Sequence, residues 1–205
     1  MLRRCAALAP GLCHRCVVLC GLSAQERMVE DTVRLEPGGR LSLDTTRGSV
    51  VLTSWDRYTV AIRARSEPPR RRGGDADYAR RAVDGTTVEV DGCGRSVRIR
   101  TDYDGVFRQG VFAGWRNVPR VHYEIRAPRQ LDVDLDIDRG DLVIELAETQ
   151  PLTIAADMSR RGDFSSDLPV TMQRTGRNFR GTINGGGPEL RIEADRSDIR
   201  LRAIN

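Results

Sequence analysis

Five times this chain writes arginine, then glycine or serine, then a small polar residue, then an apolar one. The copies are Arg47-Gly48-Ser49-Val50, Arg139-Gly140-Asp141-Leu142, Arg161-Gly162-Asp163-Phe164, Arg180-Gly181-Thr182-Ile183 and Arg196-Ser197-Asp198-Ile199. Short alternating stretches precede most of them: Leu41-Ser42-Leu43, Val133-Asp134-Leu135 and Leu190-Arg191-Ile192. Alternation marks a half-buried strand, and glycine or aspartate in the link lets the chain reverse or turn a corner. The last four glycine or serine positions, 140, 162, 181 and 197, recur at roughly 20 residues, as stacked architectures do. Strand-turn units are therefore the expected building block, with the clearest repeats from Leu131 to Asn205.

Composition agrees with short strands rather than a thick helical core. The chain has 205 residues, enough for one good-sized domain, with 5% aromatics and 20 glycines. All 33 basic residues are arginine. A GC-rich coding bias accounts for that, and a demand for bidentate anion contacts is the alternative. The formal charge of +4 is concentrated at the start. Arg3, Arg4 and Arg15 lie in the first 24 residues, leaving 33 − 3 = 30 arginines against 29 acids. So balanced a body lacks the electrostatic footprint of a nucleic-acid binder.

Residues 1–24 read as an export leader: Arg3-Arg4, an apolar stretch interrupted by His14-Arg15, and a small-residue end at Leu22-Ser23-Ala24. A misassigned start is the alternative. Cys5, Cys13, Cys16 and Cys20 fall in it. The run Cys13-His14-Arg15-Cys16 lacks the distant second pair of a zinc site and the haem-attachment order. Residues 25–205 are expected to form a single strand-repeat domain. The mature chain contains no apolar run long enough for a membrane helix.

Within the body, strands are expected at Val33–Leu35, Leu41–Leu43, Ser49–Leu52, Tyr58–Arg65, Thr87–Val90, Ser96–Thr101 and Val121–Arg126, and a short helix from Asp75 to Val83. Two irregular segments stand out. Ser66 to Gly74 contains Arg70, Arg71 and Arg72 among prolines and glycines, an exposed basic loop. Asp102 to Pro119 contains Tyr103, Phe107, Phe112 and Trp115, either an aromatic binding loop or a strap over an open end of the core. The candidate binding residues are thus Phe107, Phe112, Trp115, Arg70, Arg71 and Arg72.

Asp132, Asp134, Asp136 and Asp138 alternate with Val133, Leu135 and Ile137, which lines four carboxylates along one strand face. Either calcium or arginines on a neighbouring strand must relieve their repulsion. Arg63 and Arg65, Arg98 and Arg100, and Arg200 and Arg202 are the candidate partners. Two copies spell Arg-Gly-Asp, but at positions where the repeat needs a turn. Catalysis has little support. His122 sits in ordinary strand alternation, Cys93 lies between two glycines, and no nucleophile elbow or phosphate loop occurs. No catalytic residue, metal ligand or cofactor is assigned.

Several segments resemble the bacterial putative adhesin family, a domain of unknown function. They are Pro37-Gly38-Gly39-Arg40-Leu41, Gly48-Ser49-Val50 with Trp55-Asp56, and Ile125 to Arg129 running into Leu131–Leu142. Gly185-Gly186-Gly187-Pro188 to Ser197-Asp198-Ile199-Arg200-Leu201 is similar too. The resemblance spans roughly Val33 to Arg202. It implies an all-β, right-handed β-solenoid or β-helix-like body, with a β-sandwich as the alternative fold. It also implies export to the periplasm, cell surface or medium. The expected function is a non-enzymatic adhesin-like or scaffold module whose partner is an envelope protein or surface glycan. The alternative is a small calcium-dependent polysaccharide-binding or polysaccharide-cleaving protein.

Overall fold

Alternation between apolar and polar residues governs nearly every element of the computed structural model. It describes residues 14–15, 19–23, 26–69, 76–108, 118–158 and 162–204, the first two segments and Cys93 and Arg174 as backbone only. In chain order the elements are β1 (His14–Arg15), β2 (Leu19–Ser23), β3 (Glu26–Arg34), β4 (Arg40–Trp55), β5 (Thr59–Glu67), α1 (Ala76–Asp84), β6 (Thr87–Cys93), β7 (Ser96–Asp102) and α2 (Asp104–Arg108). There follow β8 (Arg120–Pro128), β9 (Asp132–Ala147), β10 (Leu152–Met158), β11 (Phe164–Ser166), β12 (Thr171–Thr175), β13 (Asn178–Ile183) and β14 (Glu189–Ile204). The protein is all-β in character, one mixed sheet of 14 strands.

Three strands of 16 residues, β4, β9 and β14, form its spine. They run parallel and in register: Leu41 faces Val133, which faces Leu190, and Leu52 faces Ile144, which faces Leu201. Each strand turns a corner at its Arg-Gly or Arg-Ser pair. In β4, Leu41, Leu43 and Thr45 are buried before the corner, and Val50 and Leu52 after it. The buried positions switch from odd to even numbers because two consecutive residues, Thr46 and Arg47, lie on the outside of the bend. The parity also switches across Asp138-Arg139, from odd to even, and across Asp195-Arg196, from even to odd. A strand of period two crosses a corner without exposing its core face only by such a one-residue slip.

The corners divide the sheet into two wings. Across the first halves of the long strands the order is β12-β13-β10-β14-β9-β4-β7-β6-β1, and across the second halves β11-β14-β9-β4-β8-β5-β3-β2. The wings face each other. Thr101 of β7 hydrogen-bonds to both Tyr123 of β8 and Thr45 of β4, at 2.7 and 3.1 Å. Phe164 of β11 packs on Phe179 of β13 with ring centroids 4.4 Å apart. Side chains of both wings belong to one hydrophobic cluster, with Leu41, Val50, Leu142, Ile154, Ile183 and Ile199 fully enclosed. A small separate cluster of Ala82, Tyr103, Val106 and Val118 joins α1 to α2.

Four of the five turn copies share one column. Gly48 faces Gly140, Gly140 faces Ser197, and the register of β11 places Gly162 beside Ser197. The fifth copy departs: Gly181 lies inside β13, paired antiparallel with β10 and β12. The spacing of about 20 residues therefore does not correspond to successive rungs. The spine strands are separated by 92 and 57 residues, and hairpins fill the intervals.

Other expectations from the sequence meet mixed outcomes. The helix expected from Asp75 is α1, and the strands at 41–43 and 49–52 are two halves of β4. Residues of the expected leader pair as strands, β1 with β6 and β2 with β3. No helix among the described residues is long and apolar enough to cross a membrane.

Candidate functional site

The spine sets the positions of the charged side chains. Because parallel neighbours are in register, the outward residues of one wing form rows across the strands, spaced about 4.8 Å apart. One row on the first wing reads Arg100, Asp44, Asp136, Glu193, Asp157. The next reads Arg98, Ser42, Asp134, Arg191. Together, Asp157 apart, they line a shallow hollow of about 460 Å³.

The repulsion expected along Asp132–Asp138 is relieved from immediate neighbours rather than from the three arginine pairs named above. Arg40 of β4 lies 3.9 Å from Asp132 and 3.6 Å from Asp134. Arg191 of β14 stands opposite Asp134. Arg98 and Arg100 are one strand further away, on β7, and Arg63, Arg65, Arg200 and Arg202 belong to the second wing. Asp136 receives no such relief. Partial burial holds its carboxyl above the ordinary carboxylate value, and Asp44, Glu193 and Asp138 push it the same way. Among the described residues, no group of three or more His, Cys, Asp or Glu side chains is arranged to hold a metal ion.

This gives a first testable consequence. The native state binds the Asp136 proton more tightly than the unfolded chain does, so the ionised carboxylate opposes folding. That penalty is absent below the ordinary carboxylate value near pH 4 and grows as pH rises through the raised native value. Asp136→Asn is expected to stabilise the fold at neutral pH by about 0.5–1 kcal/mol, the scale of a like-charge cross-strand pair. The gain vanishes below about pH 4. Urea titrations at both pH values test this, and a destabilised variant at neutral pH contradicts it.

His122 is in fuller company than its strand position suggested. Its Nδ1 shares a 2.7 Å hydrogen bond with Ser49 Oγ, and its Nε2 lies 3.3 Å from Glu67 Oε2. Arg65 holds the other oxygen of Glu67 at 2.9 Å. A serine, a histidine and a carboxylate in line have the outline of a nucleophilic triad. The Nε2 nevertheless makes no hydrogen bond to Glu67 and is buried without a hydrogen-bond partner. Ser49 stands mid-strand, between β8 and β9, where the backbone is committed to sheet pairing. It therefore lacks the pair of amide donors that would steady an oxyanion. The chain Ser49–His122–Glu67 ties β4, β8 and β5 together. Its members are 73 and 55 residues apart (122 − 49, 122 − 67), so local reading of the sequence missed it.

Of the sequence-derived binding residues, only Phe107 is described. It lies half-buried in the last turn of α2, packed against the small cluster of Ala82, Tyr103, Val106 and Val118. Arg70, Arg71, Arg72, Phe112 and Trp115 lie outside the described residues. The Arg139-Gly140-Asp141 tripeptide is part of the β9 corner, flanked on both sides by the corners of β4 and β14.

No family model and no curated protein matches the chain. Among solved structures it is similar to a "putative cell adhesion protein" from Clostridium sporogenes, with 10% identity over 85% of this chain and 99% of that one, at a TM-score of 0.37. A "putative adhesin" from Bacteroides fragilis follows, with 9% identity over 90% and 100% and a TM-score of 0.30. One from Parabacteroides distasonis has 8% identity over 85% and 65% and a TM-score of 0.26. Superpositions this loose carry no argument about fold or function.

Proposed function

We propose that this chain is an exported, non-enzymatic interaction module of the cell envelope, adhesin-like or scaffolding, built as a short β-solenoid-like stack. The observation that carries this reading is the spine. Three parallel strands in register convert alternating sequence into straight rows of charged side chains on a rigid support. Such a surface suits recognition of an extended partner, where affinity comes from many regularly placed contacts. The leader-like residues 1–24 and the family resemblance of the turn motifs support export. A surface glycan or an envelope protein is the partner class. The Arg70–Arg72 loop and the Phe107, Phe112 and Trp115 segment are additional proposed contacts.

Two measurements test the reading. N-terminal sequencing of the native protein with cell fractionation should find a mature start at Gln25 outside the cytoplasm; an intact, cytosolic Met1 overturns export. Purified 25–205 protein should bind isolated envelope material. Loss of that binding in a Trp115→Ala variant carrying a shortened 70–72 loop would assign the loops, and unchanged binding would remove them from the site.

A further inference from the structure

The corner that bends the spine also gathers arginines. Arg47, Arg139 and Arg196 are the first residues of three turn copies, and they stand opposite one another in register. Continuing the Val50–Tyr123 register of β4 and β8 brings Arg120 beside Arg47. Four guanidinium-bearing residues therefore occupy four adjacent strands, at intervals of about 4.8 Å. Nothing in corner geometry requires this residue; the slip needs a small residue at the following position, not a cation before it.

The column is crowded. Burial first, then Arg120 and Arg139, push the Arg47 guanidinium below its ordinary value, so the cations are close enough to repel one another. At Arg139 and Arg196 the adjacent acids answer this only in part. Asp138 approaches Arg139 at 3.7 Å and Asp195 approaches Arg196 at 3.5 Å, in both cases at Nε. Those distances are too long for good hydrogen bonds. Asp141 and Asp198 follow two residues later on the second wing and temper the field. Arg120 makes no ion pair among the described residues. Arg139 and Arg196 keep 31% and 43% of their side chains exposed. Their planar terminal forks are the groups that take carboxylate or sulfate bidentately.

A single small anion would occupy one fork and leave the others repelling. A chain of anions would meet them in succession. We propose that the column Arg120–Arg47–Arg139–Arg196 is a binding strip for an acidic polysaccharide, its guanidinium forks engaging successive carboxylate or sulfate groups. This rests on the envelope-module reading and names the partner class within it. The acidic rows of the first wing, on the other side of the corner, fix the side from which such a polymer approaches.

The test uses purified 25–205 protein in biolayer interferometry against polygalacturonate, dextran sulfate and neutral dextran, with inorganic sulfate as competitor. Binding to both acidic polymers and none to dextran is expected, weakening as salt screens the contacts. Arg139→Gln combined with Arg196→Gln should reduce affinity about 10-fold or more, the scale of two lost charge-assisted contacts. Arg139→Lys with Arg196→Lys should recover only part of it, because charge returns without the fork. Arg63→Gln, on the far part of the second wing, should change nothing, and thermal melts confirm that all variants fold. Equal binding by the double Gln variant, equal binding to neutral dextran, or full competition by equimolar inorganic sulfate would each overturn the proposal. Because the purified protein is used, these outcomes are independent of localisation: a cytosolic chain that binds the polymers would overturn the envelope reading and leave the strip standing.

Discussion

Gly140→Ala is expected to destabilise the protein by about 4 kcal/mol or more, within the range that only a few mechanisms reach. A Cβ on Gly140 would overlap the carbonyl oxygen of Gly48, and a Cβ on Gly48 would overlap that of Val121. Both glycines adopt positive φ, at 157° and 148°, which aims the missing side chain along the stack into the next strand's backbone. That strand is held by pairs along almost its whole length, so it cannot withdraw without breaking them. The third spine strand supplies the contrast. Ser197 occupies the same column with an ordinary φ, and its Oγ lies 3.4 Å from the Ile137 carbonyl. Ser197→Gly is therefore expected to cost only about 1 kcal/mol, mostly backbone entropy. Urea denaturation of both variants decides the matter. If Gly140→Ala lost less than about 1 kcal/mol, the stacked corner would not be the constraint described.

That corner shows what the sequence reveals and what it conceals. The turn motif and the flanking alternation mark where strands bend, since both depend on neighbours within a few residues. The windows Leu41–Leu52, Val133–Ile144 and Leu190–Leu201 even share a switch in the parity of the buried positions at the corner, a signal that aligning them would expose. Which strand stacks on which is another matter. The spine pairs residues 92 and 57 positions apart, a choice made by the shared core and not by local preference. Counting turn copies in chain order consequently placed Gly181 among the corners when it belongs to a hairpin. The same distance effect hid the candidate site. Arg47, Arg139 and Arg196 look like unrelated turn arginines until the register makes them one column. His122 likewise gains Ser49 and Glu67 only when β4, β5 and β8 are laid side by side. Asp132–Asp138 was legible as a carboxylate face, but its partners depended on which strands flank β9.

Alkaline unfolding is the second large effect expected. Tyr103 and Tyr123 are 4% and 1% exposed, and each hydroxyl is engaged, Tyr103 donating to the Pro119 carbonyl at 3.3 Å and Tyr123 sharing its 2.7 Å bond with Thr101. Burial is the main cause that pushes both phenols well above the ordinary tyrosine value, and Asp44 adds to it in each case. The unfolded chain releases these protons near pH 10 while the native state retains them. Stability is then complete below about pH 10 and falls as pH rises towards the native values. Each tyrosine contributes a slope of about 1.4 kcal/mol per pH unit, so the two together remove about 4 kcal/mol by about pH 11.5. A domain of this size has about 5–15 kcal/mol in total. Cooperative unfolding is therefore expected at a pH where exposed tyrosines have already ionised. Tyr123→Phe should lower neutral-pH stability by about 1 kcal/mol, the worth of its hydrogen bond, and halve the alkaline slope. Urea midpoints followed from neutral to alkaline pH, with tyrosinate absorbance recorded in parallel, separate these effects. A wild-type midpoint that stays level past pH 11, or a Tyr123→Phe variant with an unchanged slope, would show that burial does not hold these phenols protonated in the native state.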